Sequence, residues 1–121
     1  MLENRILVLD ISVDWSAADF AIKLSAPVEV TSPSFNHPHG LAWMDETHLA
    51  VGNRCGDVVI FKVPDALGLA RRLTVDPLLV MKQDEDLVQS PGSVVTRALG
   101  ATRHEILVCN NYVHKRLAPY C

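Results

Sequence analysis

Pro38-His39-Gly40-Leu41-Ala42-Trp43, then His48-Leu49-Ala50-Val51-Gly52-Asn53, then Asp57-Val58-Val59-Ile60-Phe61-Lys62-Val63 make one unit of sequence. The unit begins again at Pro91-Gly92-Ser93-Val94-Val95-Thr96, followed by Glu105-Ile106-Leu107-Val108-Cys109-Asn110. Pro38 recurs 53 positions later as Pro91, and Asn53 recurs 57 positions later as Asn110. The likeness continues outward. Glu3-Asn4-Arg5-Ile6-Leu7-Val8-Leu9-Asp10 resembles Cys55-Gly56-Asp57-Val58-Val59-Ile60-Phe61-Lys62, 52 positions on. Ile22-Lys23-Leu24-Ser25-Ala26-Pro27-Val28-Glu29-Val30 resembles Arg72-Leu73-Thr74-Val75-Asp76-Pro77-Leu78-Leu79-Val80, 50 positions on. The offsets run in order and drift by a few residues, as they do when surface loops absorb insertions at little cost.

Each piece reads as a strand. Residues 7–9, 49–51, 58–63 and 106–109 are short runs rich in Val, Ile and Leu, bounded by Gly, Asn, Asp and Pro. The runs are continuous rather than alternating, which suits strands covered on both faces. Residues 16–24 and 65–73 carry Ala, Leu and charged side chains at loose helical spacing. They are expected to be excursions between strands, ahead of or within an outer edge strand, with a turn of helix allowed there. Pro27 and Pro77 fall in those outer segments, where a missing backbone donor is tolerated.

Strands repeating at about 50 residues have the spacing of β-propeller blades. The expected fold is all-β: a partial β-propeller of antiparallel four-stranded blades. Residues 4–30 form the end of one blade, 38–81 a complete blade and 91–121 an incomplete one. Closed rings take about 4–8 blades, and each blade needs a neighbour to cover its apolar face. About two blades imply a piece of a longer ring, a truncated ring, or several copies that assemble one.

The order Pro38-His39-Gly40-Leu41-Ala42, a polar turn at Asp45-Glu46, Leu49-Ala50-Val51-Gly52-Asn53-Arg54 and Asp57-Val58-Val59-Ile60 resembles one repeat of the NHL and YVTN type propellers. The second unit departs from that pattern. Pro91-Gly92-Ser93 lacks the His-Gly order, and residues 97–104 lengthen the first turn. Relatives of this fold include calcium-dependent, gluconolactonase-like hydrolases. The resemblance would place a metal-binding Asn at His39 and a metal-binding Asp at Asn53. Imidazole is softer than the oxygen donors calcium prefers, and replacing Asp by Asn removes a charge. These departures weigh against the enzymatic reading.

In an antiparallel meander, the start of the first strand and the end of the second meet at one end of the sheet. His37, His39, Asn53 and Arg54 should therefore share a rim, with Asn110 and Asn111 on the same rim of the next unit. These six are the candidate ligand-binding residues. Each also has a plainer role. His37 and His39 flank a rigid proline and could ligate a metal, but no third ligand follows; hydrogen bonding to the loop backbone is the alternative. Asn53 and Asn110 suit bracing of a turn, Arg54 a solvated cation, and Gly40 close packing at the strand entrance. Trp43 and Phe61 suit packing between blades.

No nucleophile–base pair, G-x-S-x-G elbow, phosphate loop or paired-cysteine motif is present. The leading expectation is a non-catalytic binding or scaffold module with no cofactor. Its partner is a small ligand or a protein, and its exposed blade faces suit self-association. The alternative is part of a lactonase-like propeller hydrolase with a polar or metal-bearing channel mouth. With 121 residues and a formal net charge of −3, the chain has basic residues paired only at Arg71-Arg72 and Lys115-Arg116, so nothing marks a nucleic-acid surface. No apolar run reaches membrane-spanning length. Met1-Leu2-Glu3-Asn4-Arg5 leads straight into a strand without a secretory signal, so a cytoplasmic location is the default expectation. Three unevenly spaced cysteines, Cys55, Cys109 and Cys121, are expected to be reduced.

Overall fold

The computed structural model describes residues 4–16, 18–19, 21–64, 71–83 and 88–110. Among these the chain is all-β, and no described residue is helical. The strands are β1 (Arg5–Val8), β2 (Ile11–Asp14), β3 (Ala21–Leu24), β4 (Val28–Thr31), β5 (Pro38–Trp43) and β6 (His48–Asn53). They continue with β7 (Val58–Lys62), β8 (Arg72–Thr74), β9 (Leu79–Met81), β10 (Pro91–Ala98) and β11 (His104–Asn110).

At the centre, β5-β6-β7-β9 form a four-stranded antiparallel sheet. Continuous apolar runs are what a sheet covered on both sides requires, and both β6 and β7 are buried along nearly their whole length. Alternate residues on these strands serve different cores. Leu49, Val51, Val59 and Phe61 pack with Ile6 and Val30 of the first sheet. Ala50 and Ile60 pack with Val94 of the last hairpin. The ring of Phe35 meets Phe61 edge-on, with centroids 5.1 Å apart.

On the first side, β1 pairs antiparallel with β4, and β8 joins the outer edge of β4 in parallel. Glu29 on that sheet's outer face is bridged by Arg5 and Arg72, each at 3.2 Å. On the other side, β10 and β11 form a two-stranded hairpin.

Several expectations need correction. Within the first excursion residues 21–24 form the strand β3, paired with β2, and the helical turn that its composition allowed is not formed there. Ile11, Val13, Ile22 and Leu24 lie opposite one another in this hairpin and give it strand periodicity. In the second excursion, Arg72 and Leu73 belong to the strand Arg72–Thr74, and residues 65–70 lie outside the described residues. The extra length between Pro91 and Asn110 goes mostly into longer strands. Arg97 pairs with Glu105 and Ala98 with His104, so only residues 99–103 turn. Cys55 is disulfide-bonded, with its partner outside the described residues, whereas Cys109 is a free, exposed thiol. Cysteine spacing along a chain cannot show which side chains the fold brings together.

Candidate functional site

The starts of β5, β7 and β10 and the ends of β6 and β11 gather at one end of the sheets. The first hairpin opens with Pro38 paired to Asn53, and the second with Pro91 paired to Asn110. In each, the strand beginning at proline gains one residue on its partner just afterwards, a β-bulge. His37 and Ser90, immediately before the two prolines, are the non-glycine residues with left-handed backbone, at φ 56° and 45°. Such conformations are rare for side-chain-bearing residues, so their recurrence at matched positions is a geometric repeat.

Asparagine holds both entrances. Asn53 Oδ1 accepts the N–H of Asn36 at 3.0 Å, and Asn110 Oδ1 accepts the N–H of Gln89 at 3.1 Å. Asn53 is fully buried, and its Nδ2 donates to the carbonyls of Ser34 and Asp57, at 3.0 and 2.9 Å. Both amide protons and the amide oxygen are therefore used by the fold. An Asn in this setting braces a turn and has no hydrogen left to offer a ligand.

The other sequence-selected residues separate into backbone and solvent roles. The His37 N–H donates to Asn4 Oδ1 at 2.8 Å, and its carbonyl accepts the N–H of Arg54 at 2.9 Å. Its Nδ1 lies 3.1 Å from Asn36 Oδ1. His39 stands exposed at the bulge, and Arg54 is exposed in the turn after β6. Asn110 is exposed at the end of β11, and Asn111 lies outside the described residues. Asp57 is engaged twice: Oδ1 accepts the N–H of Gln83 at 2.6 Å, and Oδ2 lies 3.5 Å from Lys82 Nζ. The accessible chemistry of the rim is thus an imidazole and a guanidinium on a braced loop pair. Among the described residues, no three His, Cys, Asp or Glu side chains converge as a metal site would require. Nor is any described helix long and apolar enough to cross a membrane.

Close approach of neighbouring backbones sets the rim's spacing. A Cβ on Gly40 would run into the carbonyl oxygen of Gly92 and come within 2.8 Å of Val94 N. A Cβ on Gly52 would meet Val94 Cγ2 at 2.8 Å. The Thr96 hydroxyl donates to the Trp43 carbonyl, tying β10 to β5.

Bare apolar surface was expected on the blade faces, and the structure shows which residues carry it. Phe61 is buried as expected, but Trp43 is about half exposed. Trp43, Leu41, Leu7 and Leu9 line an open groove of about 320 Å³ between β1 and β5. On the far side of the molecule, Val95 and Leu107 lie directly opposite each other on β10 and β11, both exposed. The continuous apolar character of β10 and β11 was the available signal: strands built for two covers have one among the described residues.

Comparisons with protein-family models, with curated proteins and with solved structures found no match to this chain.

Proposed function

We propose that the chain is a segment of an NHL/YVTN-type β-propeller and serves as a non-catalytic binding scaffold, presenting its loop rim to a small ligand or a protein. The observation that carries this reading is the doubled rim. A left-handed residue, a proline paired with asparagine, a bulge and an asparagine clamp recur in the same order in two stacked hairpins. Such repetition is what a propeller produces around its axis, and the loops it aligns form one continuous surface. His39 and Arg54 are the side chains that this surface offers to a partner.

The full engagement of Asn53 argues against the lactonase-like alternative, which needs a metal ligand at that position. A carboxylate there would face the Ser34 and Asp57 carbonyls rather than a cation.

Two measurements test the reading. Backbone NMR shifts recorded against a library of small anionic and neutral compounds should cluster at residues 36–39 and 53–57. Shifts confined to other surfaces overturn the rim as binding face. Lactone hydrolysis with added calcium should not exceed the buffer rate, and chelator-sensitive turnover overturns the non-catalytic assignment.

A further inference from the structure

We infer that the entrance of the second hairpin, at Gln89 and Ser90, receives a backbone carbonyl oxygen of an extended peptide, which takes the place of the Gln83 side-chain amide. The inference rests on the rim as the binding face and names the partner and the group it offers. The rim makes the same pair of donors twice. Ahead of each opening proline, two consecutive N–H groups end at a left-handed residue: Asn36 and His37 in one hairpin, Gln89 and Ser90 in the other. Successive N–H groups in such a turn form a concavity for an electron-rich atom. Side-chain amide oxygens fill both concavities. The Asn36 N–H donates to Asn53 Oδ1 at 3.0 Å and the His37 N–H to Asn4 Oδ1 at 2.8 Å. The Gln89 N–H donates to Asn110 Oδ1 at 3.1 Å and the Ser90 N–H to Gln83 Oε1 at 3.4 Å.

The two fillings differ in strength. In the first, Asn53 is buried and its whole amide is used by the fold. In the second, both oxygens come from exposed side chains, and the Gln83 bond is longer than a well-formed N–H···O bond. Ser90 adds an independent observation. The residue is 8% exposed, and its hydroxyl has no hydrogen-bond partner among the described residues. A buried hydroxyl without a partner is costly, and in a native fold it calls for one. The left-handed backbone at the same residue is a further cost. Ser90 thus brings a weakly held N–H and an unused O–H to one incoming acceptor. A single carbonyl oxygen has two lone pairs and accepts both.

Charge selects the kind of acceptor. Asp57 touches the same glutamine: its Oδ1 accepts the Gln83 N–H at 2.6 Å, and its Oδ2 lies 3.5 Å from Lys82 Nζ. Residues 84–86, between Gln83 and Gln89 in the sequence, are Asp-Glu-Asp. A carboxylate or phosphate entering here would meet that negative charge, whereas a neutral carbonyl would not. The oxygens already held are neutral amide oxygens, the chemistry of a peptide carbonyl. Lysine or arginine elsewhere in the peptide is favoured for the same reason. Gly40 abuts the Gly92 carbonyl, which brings the His39 part of the rim up to this entrance, so an extended chain meets both.

NMR titration of the full chain with the capped peptide acetyl-Gly-Lys-Gly-Lys-Gly-amide tests the site. The Gln89 and Ser90 amide signals should shift saturably, together with signals at 36–39 and 53–57. The same peptide with Glu in place of Lys, and acetate, should bind more weakly; a preference for acetate overturns the neutral-carbonyl assignment. Ser90→Ala removes an unpartnered hydroxyl, so its thermal stability should equal or exceed that of the wild type, while peptide affinity falls by about fivefold. Gln83→Ala removes the competing oxygen from an exposed position and should tighten the peptide by about the same factor. A Ser90→Ala protein that loses stability, or a Gln83→Ala protein that binds less well, overturns the exchange of one acceptor for the other. Shifts at 36–39 and 53–57 that leave 89 and 90 unmoved remove this site and keep the rim. Shifts of neither set remove both.

Discussion

Asn53 and Asn110 do the same work in successive hairpins: each lies opposite the proline that opens its hairpin, and each accepts the N–H two positions before that proline. They differ in burial. Asn53 is sealed between the loop at Ser34 and the turn at Asp57, while Asn110 stands at an exposed strand end. One clamp is therefore locked into the core and the other is open to water, which can replace its bonds.

Asn53→Ala should cost about 2 kcal/mol in urea unfolding, because it removes three part-buried hydrogen bonds at once, those with the Asn36 N–H and the Ser34 and Asp57 carbonyls. Asn110→Ala should cost about 1 kcal/mol or less, as solvent takes over its exposed bond. Asn53→Asp should also destabilise, since a carboxylate would confront two carbonyl oxygens, and added calcium should not restore the midpoint. Equal losses at 53 and 110 would show that burial is not what separates the two clamps.

Gly40→Ala should be more damaging than Gly52→Ala. At Gly40 the new methyl group meets backbone of β10 that cannot turn aside, whereas at Gly52 its nearest obstacle is a valine methyl. Overpacking of this kind costs about 1–3 kcal/mol, and Gly40→Ala belongs at the upper end. Thermal and urea unfolding of the two variants side by side make the comparison; a neutral Gly40→Ala would mean the hairpins do not stack this closely.

The repeat was legible because its markers are local. Pro38, Pro91, Asn53 and Asn110 stand out in the sequence, and the strands between them are runs that only a doubly covered sheet can use. The pairing of β8 with β4 was not legible. Glu29 and Arg72 lie far apart in the chain, and nothing near either announces a parallel neighbour. The β2-β3 hairpin was obscured by its composition, since Ala and Lys residues in 16–24 mimic a helix, and only pairing across Ile11–Leu24 and Val13–Ile22 exposes the strand period. The site was half legible. Residue type allowed Asn53 to brace or to bind, and the choice rests on two carbonyls that the fold carries to it from Ser34 and Asp57. Trp43 has the composition of a packing residue, yet its exposure depends on which strands stand before β5.

Cysteine chemistry offers an independent check on the turn after β6. Alkylation of the folded protein without reductant should label Cys109 and leave Cys55 unmodified; reduction should then expose Cys55. Peptide mapping after each step reads the outcome. Labelling of Cys55 in the native, unreduced protein would contradict the disulfide.

The turn between β5 and β6 should make stability depend on pH in the acid range. Asp45 accepts the N–H of Thr47 at 2.8 Å and that of His48 at 2.7 Å, and its other oxygen lies 2.8 Å from His48 Nδ1. These contacts, the Thr47 N–H foremost, favour the ionised carboxylate and lower its pKa to about 2. Glu29 is lowered as well, first by Arg5 and then by Arg72. A carboxyl whose folded pKa lies below its unfolded value binds protons more readily when unfolded. Its contribution is therefore complete above the unfolded pKa, near 3.8 for Asp45, and is lost as pH falls toward about 2. The urea midpoint should decline across that window, and Asp45→Asn should flatten the part due to this turn. Carbon-13 NMR of the Asp45 carboxyl gives the direct test: a folded midpoint near 2 is expected, and an ordinary value near 3.8 would mean the turn does not hold the carboxylate.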